Sequence, residues 1–385
     1  MSAAELGAAD IAIIGGGLVG CATAYYLARA GKDVALLERG QTNREASGTN
    51  AGSLHLQIYI HPHFPEDWIE SILPSVALLR ESASSWATME AELKADCGVR
   101  LGGGLWVAET DEEMALIERK VVAENSMGIC SAVHSRAGML ELAPYLGPDV
   151  IGGSFLASEG FANPLLVTPA YRRTAAGHGA RFHTNAGVLS IEREADGRFV
   201  LATQRGAFRA RQVVTSAGAW TPQIARMVGL DIPITGGIAQ VNVTEGRPMV
   251  MFDHLLQHVG MGLTLKQSPT GTFIIGGGWP GAYDRPRDHR DPHLDSIIGN
   301  TWVAARTVPA IGDAQLVRSW GGMGSGTRDG LPVIGESSRV PGFSVVYAPL
   351  GFTMGPICAQ VYSEHVLTGS PIVPIAPFSP DRFLA

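Results

Sequence analysis

The chain has 385 residues and a formal net charge of −7, and 45% of its residues are hydrophobic while 17% are charged. This length exceeds what one hydrophobic core usually supports, so we expect two domains. The basic residues are scattered, which argues against binding to nucleic acid or a lipid surface, and no apolar run reaches the ~18 residues that cross a bilayer.

The first ten residues, MSAAELGAAD, contain no basic region of the kind that begins a signal peptide. We therefore expect a cytoplasmic protein. The four cysteines lie far apart and form no CxxC pair. In a reducing cytoplasm this spacing predicts buried free thiols and no disulfide framework, and we expect no metal site.

The N-terminal segment has the pattern of a βαβ unit. Residues 11–14 (IAII) form a short apolar run that predicts a buried parallel strand. The run GGGLVG follows at 15–20, and a helical pattern continues to residue 30. A second strand is predicted over 34–38 and ends in an acid. This order of elements is typical of dinucleotide binding.

Individual residues of this unit have separate physical tasks. Gly15 permits the sharp turn from strand to helix, Gly17 lets the backbone approach a pyrophosphate, and Gly20 lets helix and strand pack closely. The N–H groups at the start of the helix would hold the phosphates. Glu38 would accept hydrogen bonds from both ribose hydroxyls, which argues against a 2′-phosphorylated nucleotide. The unit alone leaves NAD and FAD open.

The following loop favours FAD. Residues 44–55, REASGTNAGSLH, resemble the small-residue loop of the D-amino-acid-oxidase-like FAD enzymes, which lies along the pyrophosphate and the flavin ring. Four further runs resemble that family in the same order along the chain: 186–188, 213–220, 320–335 and 351–356. The last run begins a helix that, in the family, points its N-terminus at the flavin, where the helix dipole stabilises negative charge.

The resemblance implies an α/β fold in which a Rossmann-like FAD-binding domain is interleaved with an α+β substrate domain built on an antiparallel sheet. The FAD-binding domain would comprise residues 1–90, 145–225 and 315–385, and the substrate domain residues 91–144 and 226–314.

Local patterns agree with an antiparallel sheet in the second domain. Residues 262–267 and 272–279 flank the turn residues SPTG, which predicts a hairpin, and 241–244 predict another short strand.

Three other segments have simpler patterns. A loop is expected over 281–295, which is dense in charge, Pro and His. Helical patterns around 68–89 and 111–124 are interpreted as surface helices over the cleft.

The resemblance also implies non-covalent FAD, because the cysteine that carries covalent flavin in monomeric sarcosine oxidase has no counterpart here. The expected FAD contacts are Gly15, Gly17, Leu18, Val19, Gly20, Glu38, Arg39, Arg44, Ala46, Ser47, Ala51, Gly52, Ser53, Leu54, Val188, Ala217, Gly218, Trp220, Gly324, Gly351, Phe352, Thr353 and Met354.

The substrate side departs from the family pattern. Relatives that oxidise glycine and D-amino acids carry an arginine that binds the substrate carboxylate, and this chain has Gly324 at that position. We take His55, Lys266 and Gln267 as candidate catalytic residues. For each of them an ordinary structural role is the alternative.

Three other polar residues are weaker candidates. Gln57 also follows the flavin loop, whereas His61 and His63 are interpreted as loop residues.

Within the family, the flavin loop and the runs 276–280 and 351–356 are most similar to the B subunits of opine oxidases. That resemblance implies oxidative cleavage of a secondary-amine amino acid such as octopine or nopaline. It also implies partner subunits that carry further flavin or iron–sulfur centres. A D-amino-acid or imino-acid oxidase or dehydrogenase (for proline, hydroxyproline, glycine or sarcosine) is the alternative, and a non-catalytic or RNA-modifying flavoprotein is a third hypothesis.

Overall fold

Two eight-stranded sheets organise the chain. The computed structural model describes residues 5–384 except 249, 285 and 288. The helices are α1 (Leu18–Arg29), α2 (Ala46–Thr49), α3 (Trp68–Leu93), α4 (Asp111–Ser126), α5 (Arg136–Leu142), α6 (Pro164–Gly177), α7 (Thr221–Arg226), α8 (Leu294–Thr307) and α9 (Gly351–Thr368). The strands are β1 (Glu5–Ile14), β2 (Val34–Leu37), β3 (Ser53–Leu54), β4 (Gly104–Ala108), β5 (Ala132–Ser135), β6 (Gly152–Leu156), β7 (Gly160–Phe161), β8 (Arg181–His183), β9 (Val188–Arg193), β10 (Phe199–Thr203), β11 (Gly206–Thr215), β12 (Ile234–Gly246), β13 (Leu255–His258), β14 (Leu263–Gln267), β15 (Thr272–Gly276), β16 (Ala282–Asp284), β17 (His289–Asp291), β18 (Leu316–Thr327), β19 (Val333–Glu336) and β20 (Phe343–Tyr347).

The first sheet has a parallel centre in the order β20-β11-β1-β2-β8. Strand β19 extends it antiparallel on β20, and β10 and β9 form an antiparallel flap on β11. The inner half of β1 is buried on both faces, as its apolar run predicted, because α1 and α9 cover one side and a second apolar cluster fills the other. The Rossmann-like part of the predicted fold is confirmed.

The second sheet is almost wholly antiparallel, in the order β18-β12-β15-β14-β13-β4-β6-β5. The pair β4–β13 is its parallel exception. Helix α8 covers one face over a third apolar cluster that includes Leu265, Phe273 and Val303. The opposite face looks towards the first sheet. The α+β part of the predicted fold class is thereby confirmed.

The strands of the second sheet do not follow the predicted domain limits. Strands β6 and β18 lie within the ranges predicted for the FAD-binding domain, yet β6 pairs with β4 and β18 pairs with β12. The reason is hydrogen bonding across long sequence separations, which no local pattern encodes. The division into two domains stays a prediction. Its limits must be changed so that β6 and β18 belong to the substrate domain.

The predicted hairpin is present, since β14 and β15 pair antiparallel around its turn residues. The predicted strand 241–244 is part of the longer β12. The loop predicted over 281–295 is wrong in part, because β16 and β17 form a small hairpin there and α8 begins at Leu294. Helix α3 covers the helix predicted around 68–89 and is amphipathic: one face, with Val76, Leu79 and Trp86, is buried against α9, and the other face is exposed.

Helix α4 is amphipathic, with Ile117 and Val121 buried. Within the described part of the chain, no helix combines the length and the hydropathy that a bilayer crossing requires.

Candidate active site

A cavity of about 560 Å³ opens between the two sheets. This volume lies in the usual range for pockets that bind organic cofactors and ligands. Its walls come from the carboxyl ends of β1 and β2, the segment 38–55, the segments 187–189 and 216–220, the second sheet and the start of α9. The carboxyl edge of a parallel sheet is where α/β proteins bind their ligands.

The glycine turn between β1 and α1 forms one end of the cavity. Gly15 has a φ of +112°, and a Cβ there would lie 2.5 Å from the carbonyl oxygen of Ser216. A Cβ on Gly20 would lie 2.0 Å from the carbonyl oxygen of Gly15, so only glycine lets the helix approach the turn. Gly17 is the N-cap of α1 and offers no side chain to the helix N–H groups. No acidic residue lies in the first turn, which leaves the positive end of the helix dipole for a phosphate.

Glu38 follows β2 at the same edge of the sheet. Its Oε2 accepts a hydrogen bond from Gly16 N at 2.7 Å, and its Oε1 accepts one from Gly40 N at 2.8 Å. The two bonds hold the carboxylate on the cavity wall, and each oxygen keeps a free lone pair. This arrangement is suited to two neighbouring hydroxyl groups.

The small-residue loop lies flat across the middle of the cavity. Ser47 Oγ accepts a hydrogen bond from Leu18 N at 2.9 Å, which ties the loop to the start of α1. Gly52 has a φ of +82°, and a Cβ there would lie 2.3 Å from the carbonyl oxygen of Ala162. Across the cavity, a Cβ on Gly322 would lie 2.4 Å from Thr49 Oγ1, so the second sheet also approaches the loop closely.

An aromatic and cationic cluster closes the end near β9. The Arg39 guanidinium lies 3.9 Å from the centre of the Trp220 ring and 2.7 Å from Glu45 Oε1. Val188 lines the cavity beside this cluster, and Gln204 Oε1 accepts a hydrogen bond from Gly187 N at 3.2 Å.

The start of α9 forms the wall next to the small-residue loop. This helix of 18 residues has no side-chain N-cap bond and no acid in its first turn. Thr353 Oγ1 accepts a hydrogen bond from His55 N at 2.9 Å, and Trp86 Nε1 donates to the Thr353 carbonyl at 2.8 Å. The uncapped helix start is therefore fixed in place and points its dipole into the cavity.

Most of the residues predicted to contact the cofactor line this cavity: Gly15, Gly17, Leu18, Val19, Glu38, Arg39, Arg44, Ala46, Ser47, Ala51, Gly52, Ser53, Val188, Ala217, Gly218, Trp220, Gly324, Gly351, Phe352 and Thr353. Gly20, Leu54 and Met354 do not line it. Leu54 and Met354 are buried in the apolar core behind the wall, so direct contact with a cofactor is not supported for these two.

The second sheet presents a row of mostly small or neutral residues to the cavity. Strand pairing brings Val241, Gly276 and Thr264 side by side in the cavity lining across three strands, and the buried Gln257 lies next to Thr264 on a fourth. Gly276 has Ala51 of the loop opposite it, at 3.5 Å from an ideal Cβ. Because glycine occupies the centre of this row, a flat ring and a substrate can lie against the sheet.

His55 is the predicted catalytic residue that reaches the cavity. Its Nδ1 lies 2.7 Å from Gln257 Oε1, and its ring packs edge-on against Tyr59 with centres 5.4 Å apart. Burial, together with the Lys266 charge and despite the Gln257 hydrogen bond, lowers the pKa of His55 to about 4. The imidazole is therefore neutral at physiological pH.

Lys266 lies beneath the cavity wall and does not line the cavity itself. Its Nζ donates a hydrogen bond to Ser53 Oγ at 2.8 Å, so it acts on the cavity through the small-residue loop. Burial lowers the pKa of Lys266 to about 7. The catalytic role predicted for Lys266 stays a prediction. Lys266 could act on a bound ligand only through Ser53, which lines the cavity.

Gln267 does not line the cavity, so the structure gives no support to the catalytic role predicted for it. Adjacent residues of a strand point to opposite faces, so Gln267 points away from the face that carries Lys266. Its Nε2 donates to the carbonyl of Gly271, and its Oε1 accepts from Met251 N. The bond to Gly271 stabilises the hairpin turn, and the bond from Met251 ties the segment before β13 to β14.

The three weaker polar candidates also lie outside the cavity lining. Gln57 is fully buried behind the cavity wall. His61 and His63 lie in the loop before α3, where His63 N donates to His61 Nδ1 at 3.1 Å. Among the described residues, no three His, Cys, Asp or Glu side chains form a group that could hold a metal.

Several lining residues were missed by the sequence analysis. Thr264 could have been found, because it stands two residues before Lys266 and must share its face of the strand. Tyr59 carries no such local signal, whereas Ser216 lies within the run 213–220 that resembles the FAD family but was not singled out. The buried Oγ of Ser216 has no hydrogen-bond partner among the described residues, which marks it as a free group in the cavity wall.

None of the four cysteines lines the cavity. Cys21, Cys97 and Cys358 are buried free thiols, as predicted, whereas Cys130 is exposed.

The chain resembles known proteins over nearly its whole length. The family model described as "DAO: FAD dependent oxidoreductase" matches residues 10–365. The B subunit of opine oxidase from Rhizobium meliloti is 28% identical over 384 residues, which are 97% of this chain and 97% of that protein. Glycine oxidase of Geobacillus kaustophilus is 26% identical over 386 residues, with the same coverage of both chains. The crystal structure of glycine oxidase from Geobacillus kaustophilus matches with a TM-score of 0.87 at 25% identity, covering 98% of this chain and 100% of that one.

Proposed function

This chain belongs to the DAO family of FAD-dependent oxidoreductases, and we propose that it oxidises the carbon beside the secondary amine of an opine such as octopine or nopaline. The substrate carbon loses a hydride, and water hydrolyses the resulting iminium ion, so that the nitrogen keeps its proton in the released amino acid. The products are an amino acid and a 2-oxo acid. We further propose that the chain is the catalytic subunit of a multi-subunit dehydrogenase.

The residues of the cavity fit FAD. Gly15 and Gly17 line the cavity without side chains at the uncapped start of α1, where a pyrophosphate would bind, and the Glu38 oxygens keep lone pairs for ribose hydroxyls. Ser216 Oγ offers a further unpaired group in the wall. When bound, FAD supplies the acceptor for the hydride.

The observation that carries the opine proposal is the open floor of the cavity at Gly324. A Cβ at this position would meet one atom, the carbonyl oxygen of Gly237 at 3.5 Å. Family members that bind a simple amino acid are expected to fill this space with an arginine. A substrate with a branched secondary amine and two carboxylates needs the space and a different arrangement of charge.

The protein's own groups would orient the amine in this reaction. His55 lines the cavity as a neutral imidazole, and the Thr264 side chain lies across from the loop. Neither is a strong base, which agrees with a hydride transfer from an amine that is already unprotonated. The closed wall formed by α9 and the small-residue loop would limit access of water to the reacting carbon.

The test is anaerobic reduction of the bound flavin. Octopine and nopaline are expected to bleach the flavin absorption of the purified holoprotein, and glycine or D-proline to leave it oxidised. The opposite pattern would refute the opine proposal while keeping the family assignment.

A second candidate is an oxidase for a D-amino or imino acid. The similarity to glycine oxidase supports it, as does the buried Lys266, whose charge could assist reaction with oxygen. Rapid formation of hydrogen peroxide by the isolated chain would favour this candidate. Fast reduction of the flavin by the substrate together with slow oxygen consumption would favour transfer of electrons to a partner protein.

The proposed role within a larger complex is supported by the relatives named as B subunits of opine oxidase and by an apolar stripe on α8. Leu294, Ile298 and Trp302 follow one another at a spacing of four residues and are 67%, 59% and 56% exposed. We expect the Ile298→Asp variant to lose co-purification with a redox partner expressed from a neighbouring gene, while keeping its flavin. Leu165→Asp, at an equally exposed site on α6, is the control. Equal co-purification of both variants would exclude the stripe as the interface.

A further inference from the structure

A buried chain of hydrogen bonds leads from the cavity along the inner face of the second sheet towards α4. His55 Nδ1 lies 2.7 Å from Gln257 Oε1, and Gln257 Nε2 lies 3.3 Å from Glu159 Oε2. Gln257 and Glu159 are fully buried. The two residues come from β13 and from the turn between β6 and β7, so their alignment behind His55 is a property of the folded chain alone.

Four N–H donors surround the Glu159 carboxylate. Its Oε1 accepts from Leu56 N at 2.8 Å and from Gln57 N at 3.2 Å. Its Oε2 accepts from the side-chain amides of Gln57 and Gln257. Burial raises the pKa of Glu159 to about 7, and the Gln57 hydrogen bonds and the Lys120 charge act in the opposite direction. Because all four neighbouring groups donate an N–H, the Glu159 carboxylate acts only as a hydrogen-bond acceptor.

The orientation of Gln57 is fixed from the other side. Its Oε1 accepts from Lys120 Nζ at 2.7 Å and from Ser154 Oγ at 3.1 Å. A protonated lysine has no acceptor, so Gln57 must turn its oxygen to Lys120 and its amide nitrogen to Glu159. Lys120 in turn pairs with Glu124 at 3.1 Å. Gln57 therefore cannot rotate to suit its partners at Glu159.

The same hydrogen-bond directions fix which nitrogen of the His55 imidazole carries the proton. Because Glu159 accepts, Gln257 must present its Nε2 to Glu159 and its Oε1 to His55. The Nδ1 of His55 must then carry the proton, and its Nε2 must be the unprotonated acceptor. His55 lines the cavity, and its Nε2 forms no hydrogen bond with any residue that the structure describes.

We infer that Glu159 is a positioning residue that acts through Gln257 to hold His55 in the Nδ1–H tautomer, so that His55 Nε2 accepts a hydrogen bond from the substrate's amine N–H. This inference rests on the proposed function for the identity of the donor. Glu159 would thus determine how the amine and its lone pair are oriented, although its carboxylate does not contact the substrate.

The Glu159→Gln variant tests the inference because it changes one acceptor into a donor. The new amide nitrogen would face the amide nitrogens of Gln57 and Gln257. Gln57 is held by Lys120, so Gln257 must rotate and donate to His55 Nδ1. The expected result is a change of His55 to the Nε2–H tautomer.

Nitrogen-15 NMR of the histidine-labelled holoprotein distinguishes the two tautomers, and the spectrum of His55→Gln identifies the signal. We expect Nδ1–H in the wild type and Nε2–H in Glu159→Gln. Glu113→Gln is the matched control, since this buried carboxylate accepts a backbone N–H, from Glu109 at 2.7 Å, and does not contact Gln257. An unchanged His55 tautomer in Glu159→Gln would overturn the inference.

Kinetics provide a second readout. In Glu159→Gln the rate of flavin reduction at saturating substrate should fall about 10- to 100-fold, because an acceptor for the amine N–H has become a donor. Glu113→Gln should reduce its flavin at the wild-type rate. If Glu159→Gln does not fold, Gln257→Met should leave His55 in a mixture of tautomers, and a single Nδ1–H form would refute the relay. Failure of opines to reduce the flavin would refute the proposed function without changing the NMR result.

Discussion

Replacement of Glu38 by alanine should weaken the retention of FAD. The structure shows two bonds from Glu38 to the cavity wall, with Gly16 N at 2.7 Å and with Gly40 N at 2.8 Å. In the proposed complex the remaining lone pairs bind ribose hydroxyls. One hydrogen bond to a charged group contributes about 1.5–3 kcal/mol. Loss of one such bond to the ribose alone raises the Kd for FAD by about 10- to 150-fold.

The assay is the flavin content of the purified variant after extended dialysis, followed by titration of the apoprotein with FAD. The melting temperature of the two apoproteins separates loss of ribose contacts from disorder of the wall around Gly16 and Gly40. Asp33→Ala is the control, because Asp33 precedes the opposite end of β2 and forms an exposed ion pair with Arg181. If Glu38→Ala keeps as much flavin as the control, Glu38 does not bind the ribose.

Three further predictions concern the substrate side, the buried lysine and the glycine turn. Gly324→Arg should raise kcat/KM for glycine or D-proline and lower it for octopine, each by at least about 10-fold, because the site has room for a side chain and an arginine would bind a single carboxylate. Steady-state kinetics with both kinds of substrate measure this change. An unchanged preference for octopine would mean that Gly324 is remote from the substrate. Burial lowers the pKa of Lys266 from 10.5 to about 7, so the unfolded chain binds more protons between these values and the unfolding free energy of the wild type should rise from pH 7 to about 10. This rise should be smaller in Lys266→Met, as measured by urea denaturation at pH 7 and 9, and equal slopes would contradict the burial of a titrating amine. Gly20→Val should yield a protein without flavin and with a lower melting temperature, because its Cβ would lie 2.0 Å from the Gly15 carbonyl oxygen; a flavin-loaded variant would exclude the close approach of α1 to the turn.

The substrate-side residues show where local patterns stop being informative. The predicted hairpin of β14 and β15 is confirmed, yet its sequence offers Lys266 and Gln267 alike as candidates. They point to opposite faces, and only the packing of the sheet decides that the Lys266 face looks towards the cofactor loop. The alternation in this strand shows that Leu263, Leu265 and Gln267 share one face and that Thr264 and Lys266 share the other. Both faces are buried, so the alternation does not show which face lies against the loop.

The N-terminal unit was determined by the sequence itself. Gly15, Gly17, Gly20 and Glu38 lie within 24 residues, and the geometry they serve is set by the local stereochemistry of a turn and by the length of one helix. The tertiary structure decided the rest. It placed β6 and β18 in the second sheet, and it brought His55, Glu159 and Gln257 together although they lie about a hundred or more residues apart. Such contacts depend on which strands pair and which faces meet, and these are properties of the packed chain that no single segment carries.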